Sequence, residues 1–208
     1  LNTLGISAFV LRYRSPEMEW DKLAQIMDVQ RAVRVVRSKA DSLHINASRV
    51  GLFGASVGGE LAIYAAAAKQ GLYQADAMDD DMFRPNFTIL LYPSLPAGIR
   101  PHQERKQDDS PESSDSFASH WNASLVPPSL IISAADDACV SMYDMVALHD
   151  ALHVGRNLTE MHIYPSGGHS FAFCYRQGKQ FMQKHEVCMW TERARAFLER
   201  YVLQKPRV

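Results

Sequence analysis

Ser56 stands in Gly54-Ala55-Ser56-Val57-Gly58, a G-x-S-x-G pattern whose surroundings matter more than its letters. The apolar run "VGLFG" (50–54) precedes it and an alanine-rich stretch follows. A strand that enters a helix through one tight turn lifts the serine hydroxyl out of the sheet. The same turn aims the N–H groups of the helix start at a developing oxyanion. Both flanking glycines are expected because a side chain at either place would crowd the turn. The competing expectation is a glycine-rich turn whose serine only caps the helix.

A serine hydroxyl is a weak nucleophile at neutral pH, so the chemistry needs a histidine and an acid, in the chain order Ser, Asp/Glu, His. Asp136 and Asp137 follow the apolar run "SLIISA" (129–134), at the carboxyl end of a strand, where parallel sheets gather their functional groups. Adjacent side chains point in different directions, so one of the two is expected to reach inward. His169 follows the next strand through Gly167 and Gly168, in "YPSGGHSFAF". The remaining histidines read as solvated or packed: His44, His149, His153 and His185 on helical patterns, His102 and His120 in a polar stretch, His162 within a strand.

Elements able to position these groups alternate along the chain. "ISAFVLRY" (6–13) lacks polar alternation and predicts a strand covered on both faces. From Asp21 to Leu43, Ile26, Val29, Val33, Val36, Ala40 and Leu43 recur at helical spacing. Strand follows at 50–54 and helix at Glu60–Gln70, stopped by Gly71. "FTILLYPS", "SLIISA" and "TEMHIYP" read as strands, Tyr143–His153 as helix and Met182–Gln204 as a closing helix. Such alternation specifies an α/β fold with a mainly parallel sheet flanked by helices, in one domain over 1–208. The polar stretch 98–124 is expected to be a surface excursion overhanging a pocket, with Phe117 and Trp121 either lining that pocket or anchoring the stretch. Asp28 with Arg12, Arg14, Arg31 and Arg34 reads as fold-stabilising pairs.

The chain has 208 residues, 47% hydrophobic and 22% charged, with a formal net charge of −1. That balance gives no electrostatic reason to expect nucleic acid, and no apolar run is long enough to span a bilayer. Cys139, Cys174 and Cys188 form an odd set without C-x-x-C spacing, allowing at most one internal disulfide and making a poor metal cluster. Asn46, Asn86, Asn122 and Asn157 all stand in N-x-S/T, every asparagine except Asn2, which leans towards a secreted protein over a cytoplasmic one.

"GISAFVLRYR", "DVQRAVRVVRSKA", "SRVGLFGASVGGELA", "LLYPSL", "PPSLIISAADDACV" and "MHIYPSGGHSFAF" occur in this order, with Trp190 in the last helix, and together they resemble the α/β-hydrolase superfamily. Within it the chain is similar to the esterase/lipase group that includes acetyl xylan and feruloyl esterases. The resemblance implies a Ser-Asp-His triad on Ser56, Asp137 and His169. It favours Asp137 over Asp136 by its place in Ser133-Ala134-Ala135-Asp136-Asp137-Ala138-Cys139-Val140-Ser141. It also implies an oxyanion donor at the Val57 N–H, no metal or organic cofactor, and a small-molecule or carbohydrate ester as substrate. Ser133, Ser141, Glu60 and Ser170 depart from the family's usual residues, and Glu60 puts a possible carboxylate near the turn.

In that superfamily a glycine-rich loop after an earlier strand completes the oxyanion hole. The sequence begins after the position of that loop, so it is expected to lack the N-terminal strands of the full fold and to be weak on its own. A serine peptidase of the same fold and a non-catalytic hydrolase-like binding module are the rival readings.

Overall fold

Four short apolar runs form one parallel sheet in the order β1 (Leu52–Ala55), β2 (Thr88–Leu91), β3 (Ser129–Ala134) and β4 (Thr159–Tyr164). The computed structural model describes residues 5–14, 21–96, 121–176, 179–180 and 185–203. Register runs Gly54 beside Leu90, Leu90 beside Ile131, and Ile131 beside Met161. β2 and β3 are buried at every position, which explains their unbroken apolar sequence: both faces are covered.

The two-residue period of a strand sorts their side chains between the covering layers. Ile89, Leu91, Leu130 and Ile132 pack on one face with Phe171, Val187, Trp190, Phe197 and Leu198. Phe171 stands in a 3-10 turn (Phe171–Phe173), and the others belong to or lead into the closing helix α5 (Trp190–Tyr201). Leu90 and Ile131 face the other way, against Ala62, Ile63 and Ala67 of α3 (Val57–Ala67) and Met145, Leu148 and Leu152 of α4 (Met142–Val154). Outside α3 lies α1 (Lys22–Ser38), through Ile26 and Val29 on Leu61, Tyr64 and Ala65.

Several boundaries differ from those the sequence predicts. The helix expected over 21–43 starts after its cap Asp21, whose Oδ1 accepts the Ala24 N–H at 2.8 Å. It breaks at Lys39 into α1 and a short α2 (Ala40–Leu43), which His44 ends in a left-handed conformation at φ 52°. α3 stops at Ala67, before the expected Gln70, because Ala68 turns extended to bridge Trp121 and the Ala67 carbonyl accepts the Asn122 N–H at 2.9 Å. Trp121 thus anchors to the core, packing on both the α3–α4 and the α1–α3 clusters. The rest of the expected excursion, with Phe117, lies outside the described residues. The closing helix begins at Trp190, after a 3-10 turn (Glu186–Met189) whose Cys188 is disulfide-bonded to Cys174.

Residues 6–13 do not form the covered strand that their composition predicts. Phe9 is 52% and Val10 98% exposed, and this stretch pairs with no strand among the described residues. An extended segment lays down a ladder only beside a neighbour about 4.8 Å away, and β1 has a described partner on one side alone. The end of the segment is instead tied to α1: Arg14 donates to both Asp28 oxygens, with Nη2 to Oδ1 at 2.7 Å. Burial works against the Asp28 carboxylate, yet the Arg14 hydrogen bonds and charge outweigh it and hold its pKa below the usual value. Of the other arginines read with Asp28, Arg31 pairs with Asp76 at 2.6 Å, and Arg34 lies over the Tyr73 and Phe83 rings.

Arg37 ties α1 to the loop before β2. It is 5% exposed and donates to the carbonyls of Ala47, Met82 and Arg84 and to Asn86 Oδ1. Burial lowers its pKa. Arg37→Ala removes the guanidinium donors from the three carbonyls, while Asn86 Oδ1 keeps the Val50 N–H, and is expected to lower stability by about 3 kcal/mol, read as a fall in the urea midpoint at unchanged m-value.

Candidate active site

The turn between β1 and α3 holds Ser56 at φ 53° and ψ −124°, a conformation that costs a non-glycine residue energy and persists only where neighbours enforce it. Here they do. Its N–H donates to the Leu91 carbonyl at 3.0 Å, and its own carbonyl accepts from Gly59, Glu60 and Ser94 at 2.9, 3.2 and 3.0 Å. At Gly54 a Cβ would strike the Gly58 carbonyl, so the first glycine is required by close approach. The second is not Gly58, where a Cβ would meet nothing within 4 Å, but Gly59, where it would stand 2.7 Å from Pro93 Cβ. The second crowded position therefore lies one residue later than the G-x-S-x-G pattern predicts.

Ser56 occupies the N-cap position of α3, yet its side chain makes no capping hydrogen bond. Its Oγ lies 3.0 Å from His169 Nε2. The other ring nitrogen, Nδ1, is 2.8 Å from Asp137 Oδ2. An ionised carboxylate only accepts, so this contact assigns the ring proton to Nδ1 and leaves the Nε2 lone pair facing the serine hydroxyl. The Asp137 side chain is 0% exposed, and its Oδ1 accepts the N–H groups of Cys139 and Val140 at 2.8 and 3.0 Å. Both carboxylate oxygens are thus held, one by backbone and one by the imidazole.

Asp136 serves a backbone donor instead of the ring. Its Oδ1 accepts the Gly168 N–H at 2.8 Å and so pins the turn that carries His169. Tyr92, at φ 36° just after β2, sets its ring 4.7 Å from the His169 ring and 4.7 Å from Phe171. Burial above all raises the pKa of its hydroxyl. Neither positioning role emerges from the sequence reading, although Tyr92 sits at the carboxyl end of a strand like Asp136 and Asp137, and that rule would have flagged it.

Val57 is the first residue of α3, where a helix leaves its N–H without an intrahelical acceptor. Glu60 does not present a free carboxylate to the turn: its side chain is 8% exposed and Lys22 Nζ stands 2.6 Å from it.

Comparison with known proteins agrees with this architecture. A family model described as alpha/beta hydrolase fold matches residues 2–123. The acetylxylan esterase of Xylanibacter ruminicola is 31% identical over 188 residues, which cover 83% of this chain but 36% of that protein; the chain thus spans about a third of this curated relative. Among solved structures, an acetyl ester-xyloside bifunctional hydrolase from Caldicellulosiruptor lactoaceticus superposes with TM-score 0.76 at 27% identity, covering 96% of this chain and 73% of that one. Thermogutta terrifontis esterase Est2 superposes with TM-score 0.72 at 19% identity, over 94% and 71% of the two chains. A parallel sheet wound by helices, a strained strand-to-helix turn and a family match over more than half the sequence lead to one assignment: the chain belongs to the α/β-hydrolase fold family.

Proposed function

We propose that this chain carries the reaction centre of a serine carboxylic-ester hydrolase that removes acetyl or other small acyl groups from carbohydrate or small-molecule esters. The observation that carries the proposal is the continuous hydrogen-bonded line from Ser56 Oγ through the His169 ring to Asp137, at 3.0 and 2.8 Å. In this reading Ser56 Oγ attacks the ester carbonyl carbon while His169 Nε2 takes its proton. Asp137 holds the imidazole in the required tautomer and stabilises its cation. The Val57 N–H faces the oxygen that becomes negative. Collapse expels the alcohol with a proton from His169. Water, deprotonated by the same ring, then releases the acid and restores Ser56.

The named activities of the Xylanibacter and Caldicellulosiruptor proteins support acetylated sugars as the substrate class. A fluorophosphonate probe tests the nucleophile directly. The full-length protein is expected to be labelled at Ser56, with loss of p-nitrophenyl acetate hydrolysis in step with labelling. A protein that stays unlabelled at saturating probe is a binding module and not a hydrolase.

We further propose export, supported by the four sequons and by the Cys174–Cys188 disulfide, which suits an oxidising compartment. The sequons differ in surroundings. Asn157 Nδ2 already donates to the Ala123 carbonyl, and Asn86 Oδ1 is held by Arg37 and by the Val50 N–H. Asn46 is exposed, and among the described residues its side chain is engaged through Oδ1 by Ser48. Secretion from a eukaryotic cell should give a glycosidase-sensitive shift in gel mobility that Asn46→Gln removes or reduces; an unchanged shift would place the sugar elsewhere.

A further inference from the structure

We propose that Asp137, Cys139 and His169 form a binding site for a soft divalent cation of the Zn²⁺ class, and that filling it switches hydrolysis off. One ligand atom from each residue, a carboxylate oxygen, a thiol sulfur and an imidazole nitrogen, lies within 4.8 Å of the others. Three protein ligands of these types with a fourth position left to water make a familiar open zinc shell. Metal–ligand bonds of about 2.0–2.3 Å put tetrahedral ligands roughly 3.3–3.8 Å apart, so the longest separation in the trio, up to 4.8 Å, needs to close by about 1 Å, while the Asp137–His169 pair, at 2.8 Å, opens by about 0.5 Å. Cys139 supplies that movement, since it is exposed and its side chain turns about one bond.

The other two ligands are oriented by neighbouring groups before any ion arrives. Asp137 Oδ1 is fixed by two backbone N–H groups, which leaves Oδ2 as the ligand atom. The turn before His169 is fixed by Asp136 through Gly168. Such outer contacts orient metal ligands and raise affinity. Exposure of Cys139 opens a path for the ion from solvent. Among the described residues its thiol makes no other bond.

The site and the proposed reaction compete for the same ring, and this part of the inference rests on the proposed function. The ring proton first moves from Nδ1 to Nε2 by exchange with water; Asp137 Oδ2 and His169 Nδ1, now 2.8 Å apart, then part by about 0.5 Å and the ion takes the freed Nδ1 lone pair. The thiol S–H bond breaks with release of one proton to solvent. Metal–oxygen, metal–nitrogen and metal–sulfur bonds form, and no oxidation state changes. With a proton on Nε2 the ring has no lone pair to accept from Ser56, so the base is lost.

The test compares full-length wild type with Cys139→Ser in two measurements. Titration with Co²⁺, a spectroscopic stand-in for Zn²⁺, is expected to give a thiolate-to-cobalt charge-transfer band at one equivalent in the wild type and none in the variant. Zn²⁺ is expected to inhibit p-nitrophenyl acetate hydrolysis by the wild type, reversibly by a chelator. Half-inhibition of Cys139→Ser, each protein measured against its own metal-free turnover, should need at least about tenfold more Zn²⁺. Absence of the band, or equal Zn²⁺ sensitivity in the two proteins, overturns the inference. A band in a protein that no fluorophosphonate labels would keep the metal site while removing the hydrolase reading and the switch with it.

Discussion

Ser56→Ala is expected to lower the turnover of a short-chain ester by the full-length protein by about 10⁴- to 10⁶-fold, the range seen when the nucleophile of a serine triad is removed. The change deletes one oxygen, the one 3.0 Å from His169 Nε2. It leaves intact the backbone hydrogen bonds that enforce the turn, since the N–H and carbonyl of residue 56 make them. Alanine meets the same penalty at φ 53° as serine does, so the melting temperature should barely move. Loss of activity at unchanged stability is the signature of chemistry at this atom. Turnover above a tenth of wild type would falsify the assignment of Ser56 as nucleophile.

Asp137→Asn should cost about 10⁴-fold, because it reverses a proton without moving an atom. Two backbone N–H groups, of Cys139 and Val140, require an acceptor at the Oδ1 position, so the amide introduced by the substitution must turn its oxygen to them. Its NH₂ then faces His169 Nδ1, donates, and forces the ring proton onto Nε2. The base is present but in the wrong tautomer. Asp136→Asn makes an instructive contrast, since the amide oxygen still accepts the Gly168 N–H that Asp136 accepts at 2.8 Å. Turnover should stay within about threefold of wild type there, a loss below about 1 kcal/mol of transition-state stabilisation. Pre-steady-state hydrolysis of p-nitrophenyl acetate by the two variants decides between them, and the reverse ranking would move the role to Asp136.

These groups are legible in the amino-acid sequence. Parallel strands end at one edge of the sheet, so Ser56, Tyr92, Asp136, Asp137 and the loop to His169 all leave from that edge. Chain order and apolar runs are enough to place them there. Which neighbour does what is a matter of side-chain direction and local donors, and those depend on tertiary contacts. Asp137 turns inward because two N–H groups await it, and Asp136 serves a backbone donor. Gly59 faces Pro93, a residue 34 positions later, so composition near Ser56 could not tell it from Gly58. Residues 6–13 failed for a related reason: β propensity describes a fit to a neighbouring strand, and no described strand lies alongside. The sequons illustrate a further ambiguity. Asn46-Ala-Ser and Asn122-Ala-Ser both start 3-10 turns in which the asparagine oxygen accepts the serine N–H and hydroxyl, so the same three letters also serve turn geometry.

Among the described residues no strand pairs with the outer flank of β1. Phe53 is 42% exposed, Phe9 and Val10 more so, and the backbone groups on that flank have no described ladder partner. Such a border is a template for whatever strand reaches it first, and at high concentration that visitor is another copy of the same polypeptide. Expressed alone, these 208 residues should therefore precipitate more readily than their nearly neutral charge would suggest, with clumping that grows as solutions are concentrated.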